Sequence, residues 1–363
     1  MEKRKVLLIY TNFSTFVRED HQILSSVYEV TKYQFIPSRS YWRFLFRLFK
    51  QFFYCLFKFR IYDLIYIWFA DYHAFFPVLL GNLFRKKTVV VVGGYDAVYI
   101  PNLDYGVFKP RSIRSLFSKY TLCNVSHILP VDHCLVNSIN RFDNSISNEL
   151  KVGIKNYVNN IKGKIDVVPT GYNPDIWKKD ESVDRKISVI TIAGVADEKA
   201  FRIKGLDFLL EIAQIMSKST FSIVGLDEKM LEYVKSWAPS NVKLFGYVQH
   251  HDLPRLLSEH KVYTQLSLSE GLPNSLCEAM LCECIPVGSA VGGIPKGIGK
   301  TGFVLHKKDV NEAVRLIRLA LDSDESLGES ARQHIIDNFS YDLRKDRILS
   351  ILNGDYDANL VQA

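Results

Sequence analysis

Ser269-Glu270-Gly271-Leu272-Pro273-Asn274-Ser275-Leu276-Cys277-Glu278-Ala279-Met280 decides the fold of this 363-residue chain, because it sets two carboxylates eight residues apart around a strand-to-helix turn. Val262 to Leu268 is β-rich, Gly271-Leu272-Pro273 carries turn chemistry, and Asn274 onward reads as a helix with Pro273 close to its first turn. Glu270 then stands at the mouth of the strand's carboxyl end. The unpaired N–H groups of Asn274, Ser275 and Leu276 point out of the helix, where hydrogen bonds and the helix dipole together favour an anionic diphosphate. Glu278, one turn in, is placed to accept hydrogen bonds from ribose hydroxyls. For an isolated pair the alternative is a strand-ending Glu270, an exposed helical Glu278 and an ordinary turn.

The pair is not isolated. The segment resembles the Glu-x7-Glu motif of the retaining, family-four glycosyltransferases of GT-B fold. Lys243-Leu244-Phe245-Gly246-Tyr247-Val248 resembles the family's strand and turn beside the nucleobase, and Pro286-Val287 through Gly292-Gly293-Ile294-Pro295 its strand and glycine loop after the motif helix. Val168-Pro169-Thr170-Gly171-Tyr172-Asn173 resembles the stretch that closes the first domain. The resemblance covers most of residues 165 to 350 and rests on pattern over 1 to 165. It implies an α/β, GT-B architecture of two Rossmann-like doubly wound domains facing a central cleft. The N-terminal, acceptor-binding domain is residues 1–177, the C-terminal, nucleotide-sugar-binding domain is 178–338, and a helix over 339–353 crosses back to the first.

The pattern of apolar runs agrees independently. At 363 residues and 47% hydrophobic content the chain suits two globular cores rather than one core and a disordered tail. Val6 to Tyr10, Asp63 to Phe69 and Thr88 to Val92 have the length and composition of buried parallel strands, with residues 73 to 85 as the helix between the last two. Ile187 to Ile192, Phe221 to Val224, Val242 to Phe245 and Val262 to Leu266 repeat the pattern. Charged residues 2 to 5 precede only five apolar ones, too few for a secretion signal, and no apolar run reaches the roughly 18 residues of a membrane span. A cytoplasmic protein is therefore expected. The six cysteines, including Cys277, Cys282 and Cys284, lack paired zinc-type spacing and read as reduced core thiols.

Charge is unevenly divided. Residues 1 to 177 carry 23 Lys and Arg against 13 Asp and Glu, leaving 23 against 26 in the remainder. Within the basic half, Tyr41 to Arg60 holds ten aromatic residues, five basic ones and no acid. Drawn as a helix, it sets Arg43, Arg47, Lys50 and Lys58 on one stripe and Phe44, Leu45, Phe52, Phe53 and Leu56 largely elsewhere, as in an interfacial helix on anionic lipid. A core-packing helix with snorkelling bases is an equal alternative. Single-stranded nucleic acid ranks last, so no nucleic-acid partner is expected.

The resemblance implies a role for each residue of the motif. Glu270 holds hydroxyls of the donor sugar, Glu278 binds ribose, and Gly271, Leu272, Pro273, Asn274, Ser275 and Leu276 form the loop and helix end at the diphosphate. Tyr247 and Val248 pass the base. The family places an Arg after the first strand of the second domain and a Lys before a Gly; Lys204-Gly205 matches the second, but Val195 follows Gly194 where the Arg is usual. Arg202 is the substitute expected, with Lys199 in reserve. No cofactor or metal is implied, because two cations and a helix end neutralise the leaving group, the donor being a substrate. The first loop, Asn12-Phe13-Ser14-Thr15-Phe16-Val17-Arg18, departs from the family's glycine-rich pattern, leaving Ser14, Thr15 and Arg18 as donor contacts. Gly93-Gly94-Tyr95-Asp96 occupies a strand end, so Asp96 or Tyr95 is expected at the sugar or acceptor, with a plain turn as the alternative and His73 as a further candidate.

Other motifs are set aside. Gly293 to Thr301 misses P-loop spacing by one residue, Asp355-Tyr356-Asp357 lies in a polar tail, and no Gly-x-Gly-x-x-Gly follows a strand. Lys296 stands where the family commonly has Glu after Gly-Ile-Pro. The expectation is a retaining, metal-independent glycosyltransferase moving a hexose-type sugar from a nucleotide-diphosphate sugar to a hydroxyl of a glycan or lipid-linked acceptor, in cell-surface polysaccharide or glycolipid synthesis. Its rivals are a sugar-nucleotide epimerase or hydrolase, which would consume donor without acceptor, and a catalytically silent partner protein of the same fold, which would not bind nucleotide.

Overall fold

The computed structural model describes residues 3–38, 40–145 and 149–354; Asp355-Tyr356-Asp357 lies outside them. The chain divides into two units, one of residues 1–139, 151–171 and 341–363, the other of 140–150 and 172–340.

The first unit alternates β1 (Lys5–Tyr10), α1 (Thr15–Val27), β2 (Glu29–Gln34), α2 (Tyr41–Lys58), β3 (Leu64–Trp68), α3 (Tyr72–Leu83), β4 (Lys87–Val92), α4 (Ile113–Asn124) and β5 (His127–Pro130). Short strands β6 (Ser138–Asn140) and β7 (Leu150–Val152) precede β8 (Lys164–Ile165). Its sheet runs β2-β1-β3-β4-β5-β8, every pairing parallel. Central strands buried on both faces must be apolar throughout, and β1, β3 and β4 are Val, Leu and Ile-rich runs with almost no exposure. Edge strand β2, Glu-Val-Thr-Lys-Tyr-Gln, is half solvated and lacks that signature.

The second unit follows as β9 (Lys186–Val195), α5 (Glu198–Ile203), α6 (Leu206–Ile215), β10 (Thr220–Leu226), α7 (Glu228–Lys235), β11 (Val242–Phe245), α8 (Leu253–Ser258) and β12 (His260–Gln265). Then come α9 (Asn274–Leu281), β13 (Ile285–Ser289), α10 (Ile294–Ile298), β14 (Phe303–Leu305), α11 (Val310–Asp322) and α12 (Ser326–Phe339). This sheet too is parallel throughout, in the order β11-β10-β9-β12-β13-β14. Strand order reverses between β9 and β12, which makes the crevice outside their carboxyl ends the topological switch point where such sheets hold ligands.

Two boundaries differ from expectation. The second unit begins at Tyr172 rather than 178, because Tyr172 N–H donates to Phe339 O at 2.9 Å and Arg332 holds the Trp177 carbonyl at 2.8 Å. It also takes residues 140–150, anchored where Asn140 donates to Leu268 O at 2.9 Å and Lys308 meets Asp143 at 3.1 Å. The closing helix α13 (Tyr341–Asn353) belongs to the first unit. Its Arg344, 2% exposed, is bidentate on Asp20 at 2.7 and 2.8 Å and donates to the Val168 and Pro169 carbonyls at 2.9 and 2.7 Å. Tyr66 and Trp68 also donate to the Asp20 carboxylate, at 2.9 and 2.8 Å, so both oxygens of the buried acid are hydrogen-bonded.

Candidate functional site

All strands of the second sheet point one way, so the segments that follow β9, β11, β12 and β13 leave from the same edge. They carry Arg202 and Lys204, then Tyr247 and Val248, then Glu270 to Pro273, and finally Gly292 and Gly293. At the switch point, Lys204 Nζ lies 2.7 Å from Glu270 Oε1. Two residues 66 positions apart in sequence thus meet between the strands where the order reverses. Gly205 permits this approach: it sits at φ +67, and a Cβ there would lie 2.1 Å from Leu266 O. Gly292 plays the same part on the other side, at φ +58 with a Cβ 2.2 Å from Glu270 O, while Gly293 N–H donates to Gly271 O at 2.6 Å.

Helix α9 begins at Asn274 with Pro273 just before it. Amides of the first turn have no carbonyl partner within a helix. The side chains of Leu272 and Leu276 are buried, so these two can meet a ligand only through their backbone. The Asn274 side chain accepts from Tyr172 OH at 3.0 Å, and Ser275 Oγ donates to Gln265 Oε1 at 3.3 Å. Glu278 is 7% exposed, and its carboxylate has no hydrogen-bond or ionic partner among the described residues. Burial pushes that carboxyl up to about 8.

Beneath the pair lies a polar network that the motifs did not announce. Tyr263 OH and Gln265 Oε1 are 3.0 Å apart, and Gln265 Nε2 donates to Ser267 Oγ at 2.8 Å and approaches Glu270 Oε1 at 3.4 Å. The available signal was a glutamine within an otherwise buried strand, a position that demands partners.

Arg202, in the last turn of α5, is exposed, and its side chain has no partner among the described residues. Val195, at the position where the resemblance implies an Arg, is buried at the end of β9. Tyr247 is 78% exposed and Val248 half-buried beyond edge strand β11. Ser14 and Thr15 open α1 after β1, beside the first sheet's own switch point between β1 and β3. Arg18 is exposed, with its guanidinium 6.0 Å from the Phe13 ring centroid.

Asp96 requires a correction. It is fully buried, and its carboxylate accepts the N–H groups of Ala70, Gly93 and Gly94 at 2.9, 2.9 and 3.0 Å. It braces the loop after β4 and has no face for a sugar; burial raises it to about 6 against the pull of those amides. Tyr95 is the half-buried member of the pair, its phenol bonded by Arg114 at 2.6 Å, and Arg114 in turn grips Asp71, which caps α3. His73 is likewise core: 1% exposed, bonded to Trp68 O at 2.7 Å, with burial lowering its pKa. All six cysteines are free, and Cys277, Cys282 and Cys284 are buried, burial raising each thiol.

Two parallel-sheet, Rossmann-like α/β units of this kind define the GT-B fold. The structure matches sucrose-phosphate synthase from Thermosynechococcus elongatus with a TM-score of 0.74 at 15% identity, over 97% of this chain and 99% of that one. It matches Anabaena HepE, in complex with UDP and glucose, with a TM-score of 0.69 at 14% identity, over 97% of this chain and 100% of that one. Residues 188–323, within the second unit, match the family model of glycosyl transferases group 1. Trehalose synthase of Thermococcus litoralis is 39% identical over 97 residues, 25% of this chain and 23% of that protein. The phosphatidylinositol N-acetylglucosaminyltransferase GPI3 subunit of Saccharomyces cerevisiae is 26% identical over 222 residues, 56% of this chain and 46% of that protein. The chain thus spans between about a quarter and a half of the length of these two relatives.

Proposed function

We propose that the protein is a retaining glycosyltransferase that moves a hexose-type sugar from a nucleotide-diphosphate sugar to a hydroxyl of a glycan or lipid-linked acceptor, in cell-surface polysaccharide or glycolipid synthesis at the cytoplasmic side of a membrane. The observation that carries this is the Lys204–Glu270 pair at the switch point, with the partnerless carboxyl of Glu278 one turn into the adjoining helix.

The pair is part-exposed, 30% at Lys204 and 12% at Glu270, so the lysine end is reachable from solvent. A diphosphate arriving at the α9 N-terminus takes Lys204 from Glu270. The lysine then sits about 4 Å from phosphate oxygen, where it contributes on the order of 4 kcal/mol at an effective dielectric near 20. Freed, Glu270 accepts hydroxyls of the donor sugar and orients it for attack by the acceptor from the face the diphosphate leaves; it forms no covalent bond. Arg202 swings onto the diphosphate as the second cation, and no metal is needed in this scheme. Glu278, held largely neutral by burial, both donates to and accepts from ribose hydroxyls. Tyr247 and Val248 flank the base.

The test is calorimetric titration with UDP, GDP and ADP. UDP is the first choice because HepE was solved with UDP. Selective binding, weakened in Glu278→Ala by about tenfold or more for a lost buried hydrogen bond, supports the reading. Absence of nucleotide binding selects the rival, a catalytically silent protein of GT-B fold, which Val195 in place of a cation favours.

A further inference from the structure

Helix α2 has two opposite faces. Leu48, Gln51 and Cys55 are buried, with Gln51 Nε2 donating to His73 O at 2.9 Å. The outward face carries Trp42, Phe46, Phe49, Phe53 and Phe57, which are 77, 69, 60, 48 and 71% exposed. These five recur at intervals of four and three residues, a stripe about 80° wide and roughly 22 Å long on a helix of 100° and 1.5 Å per residue. A contiguous aromatic ridge of that size on a water-facing helix marks an interaction surface.

The surroundings of the ridge indicate what covers it. From Val30 to Tyr62 the sequence holds seven Lys and Arg and no acid. Arg47, expected on the same basic stripe, is instead tied to the Ile36 and Pro37 carbonyls at 2.6 and 2.8 Å. Arg43, Lys50, Lys58 and Arg60 are exposed, and their side chains have no partner among the described residues. The patch continues at the helix's end. Ile61 is 54% and Leu83 69% exposed, and Lys86 Nζ donates to Arg60 O at 3.2 Å, which brings the basic turn after α3 alongside.

We propose that this face is a membrane-docking surface. It is seated on an anionic phospholipid bilayer, with the aromatic ridge at the boundary of headgroups and acyl chains and Arg43, Lys50, Lys58 and Arg60 at lipid phosphates. A straight convex ridge suits a plane rather than a groove in a protein, and a helix with one apolar face and flanking cations lies in that plane. A second copy meeting the same face would bring its own acid-free basic flank, like charge against like. The inference deepens the acceptor half of the proposed function by naming the surface at which a lipid-linked acceptor is met, and rests on that reading only for its purpose.

Flotation with phosphatidylglycerol or phosphatidylcholine vesicles tests it without any activity readout. The wild type is expected on the anionic vesicles, and Phe46→Ser/Phe49→Ser/Phe53→Ser is expected to lose about 100-fold in partitioning. Arg43→Gln/Lys50→Gln/Lys58→Gln is expected to lose about tenfold or more, since each base near the surface contributes. Trp42 fluorescence shifts blue on binding, and Trp42→Phe removes the shift. No flotation, flotation of the serine variant equal to wild type, or conversion of a wild-type dimer to a monomer by the serine substitutions would each overturn it. UDP titration runs alongside: flotation without UDP binding removes the donor reading and leaves this one standing.

Discussion

At the scale of single residues, Glu278 is the most exacting position. Its carboxyl titrates near 8 in the folded chain against 4.5 as a free side chain, so the folded state holds the proton more tightly than the unfolded one. As pH rises from about 4.5 to about 8 the group withdraws stability, and above that the loss is complete. Glu278→Gln should therefore match the wild type in urea midpoint at about pH 4 and exceed it at about pH 9. A wild type more stable than the variant at the alkaline end would mean that the carboxylate is ionised and paired. At the neighbouring pair, Glu270→Ala should lower kcat on the order of 100-fold while UDP binds as well or better, because Lys204 is released for the diphosphate. Lys204→Ala should weaken UDP and turnover together. If Glu270→Ala abolished UDP binding with its fold intact, Glu270 would be a nucleotide ligand rather than an orienting group. The placement of both acids, one after β12 and one a turn into α9, is legible because turn chemistry brackets them. Asp96 was misread because a carboxylate after two glycines looks the same in sequence whether it faces a ligand or folds back on its own amides.

At the scale of elements, apolar continuity decided what was legible. The buried runs behind β1, β3, β4 and β9 announce themselves, whereas β2 is an edge strand of polar alternation and β14 has only three residues. Helix α13 is read as a helix, but its attachment hangs on an arginine 324 positions from its partner, which no local pattern reveals. That attachment has a measurable cost of removal. Asp20→Ala leaves Arg344 charged, buried and unpaired, so it should destabilise by about 3–5 kcal/mol, whereas Asp20→Leu/Arg344→Met, apolar on both sides, should recover much of the loss. Denaturant unfolding of the two variants checks this. Equal losses in both would show that packing, not the ion, holds the helix.

At the scale of the whole molecule, charge and chemistry are divided between the units. Most of the basic excess lies in residues 1–177, whereas Lys204, Glu270 and Glu278 belong to the second unit, where acids slightly outnumber bases. On the proposed reading a diphosphate would be held there by a few local groups rather than by a broad field, and binding energy should appear locally. UDP at about 100 times its Kd stabilises the bound state by about 2.7 kcal/mol, enough to slow amide exchange up to about 100-fold wherever exchange requires the site to open. The slowed amides should be those of 196–205, 266–278 and 290–293, the loops leaving β9, β12 and β13, with residues 41–60 unchanged. Anionic vesicles should give the reverse pattern. Protection by UDP within 41–60 but not 266–278 would place the nucleotide in the wrong unit and end the assignment of Glu278.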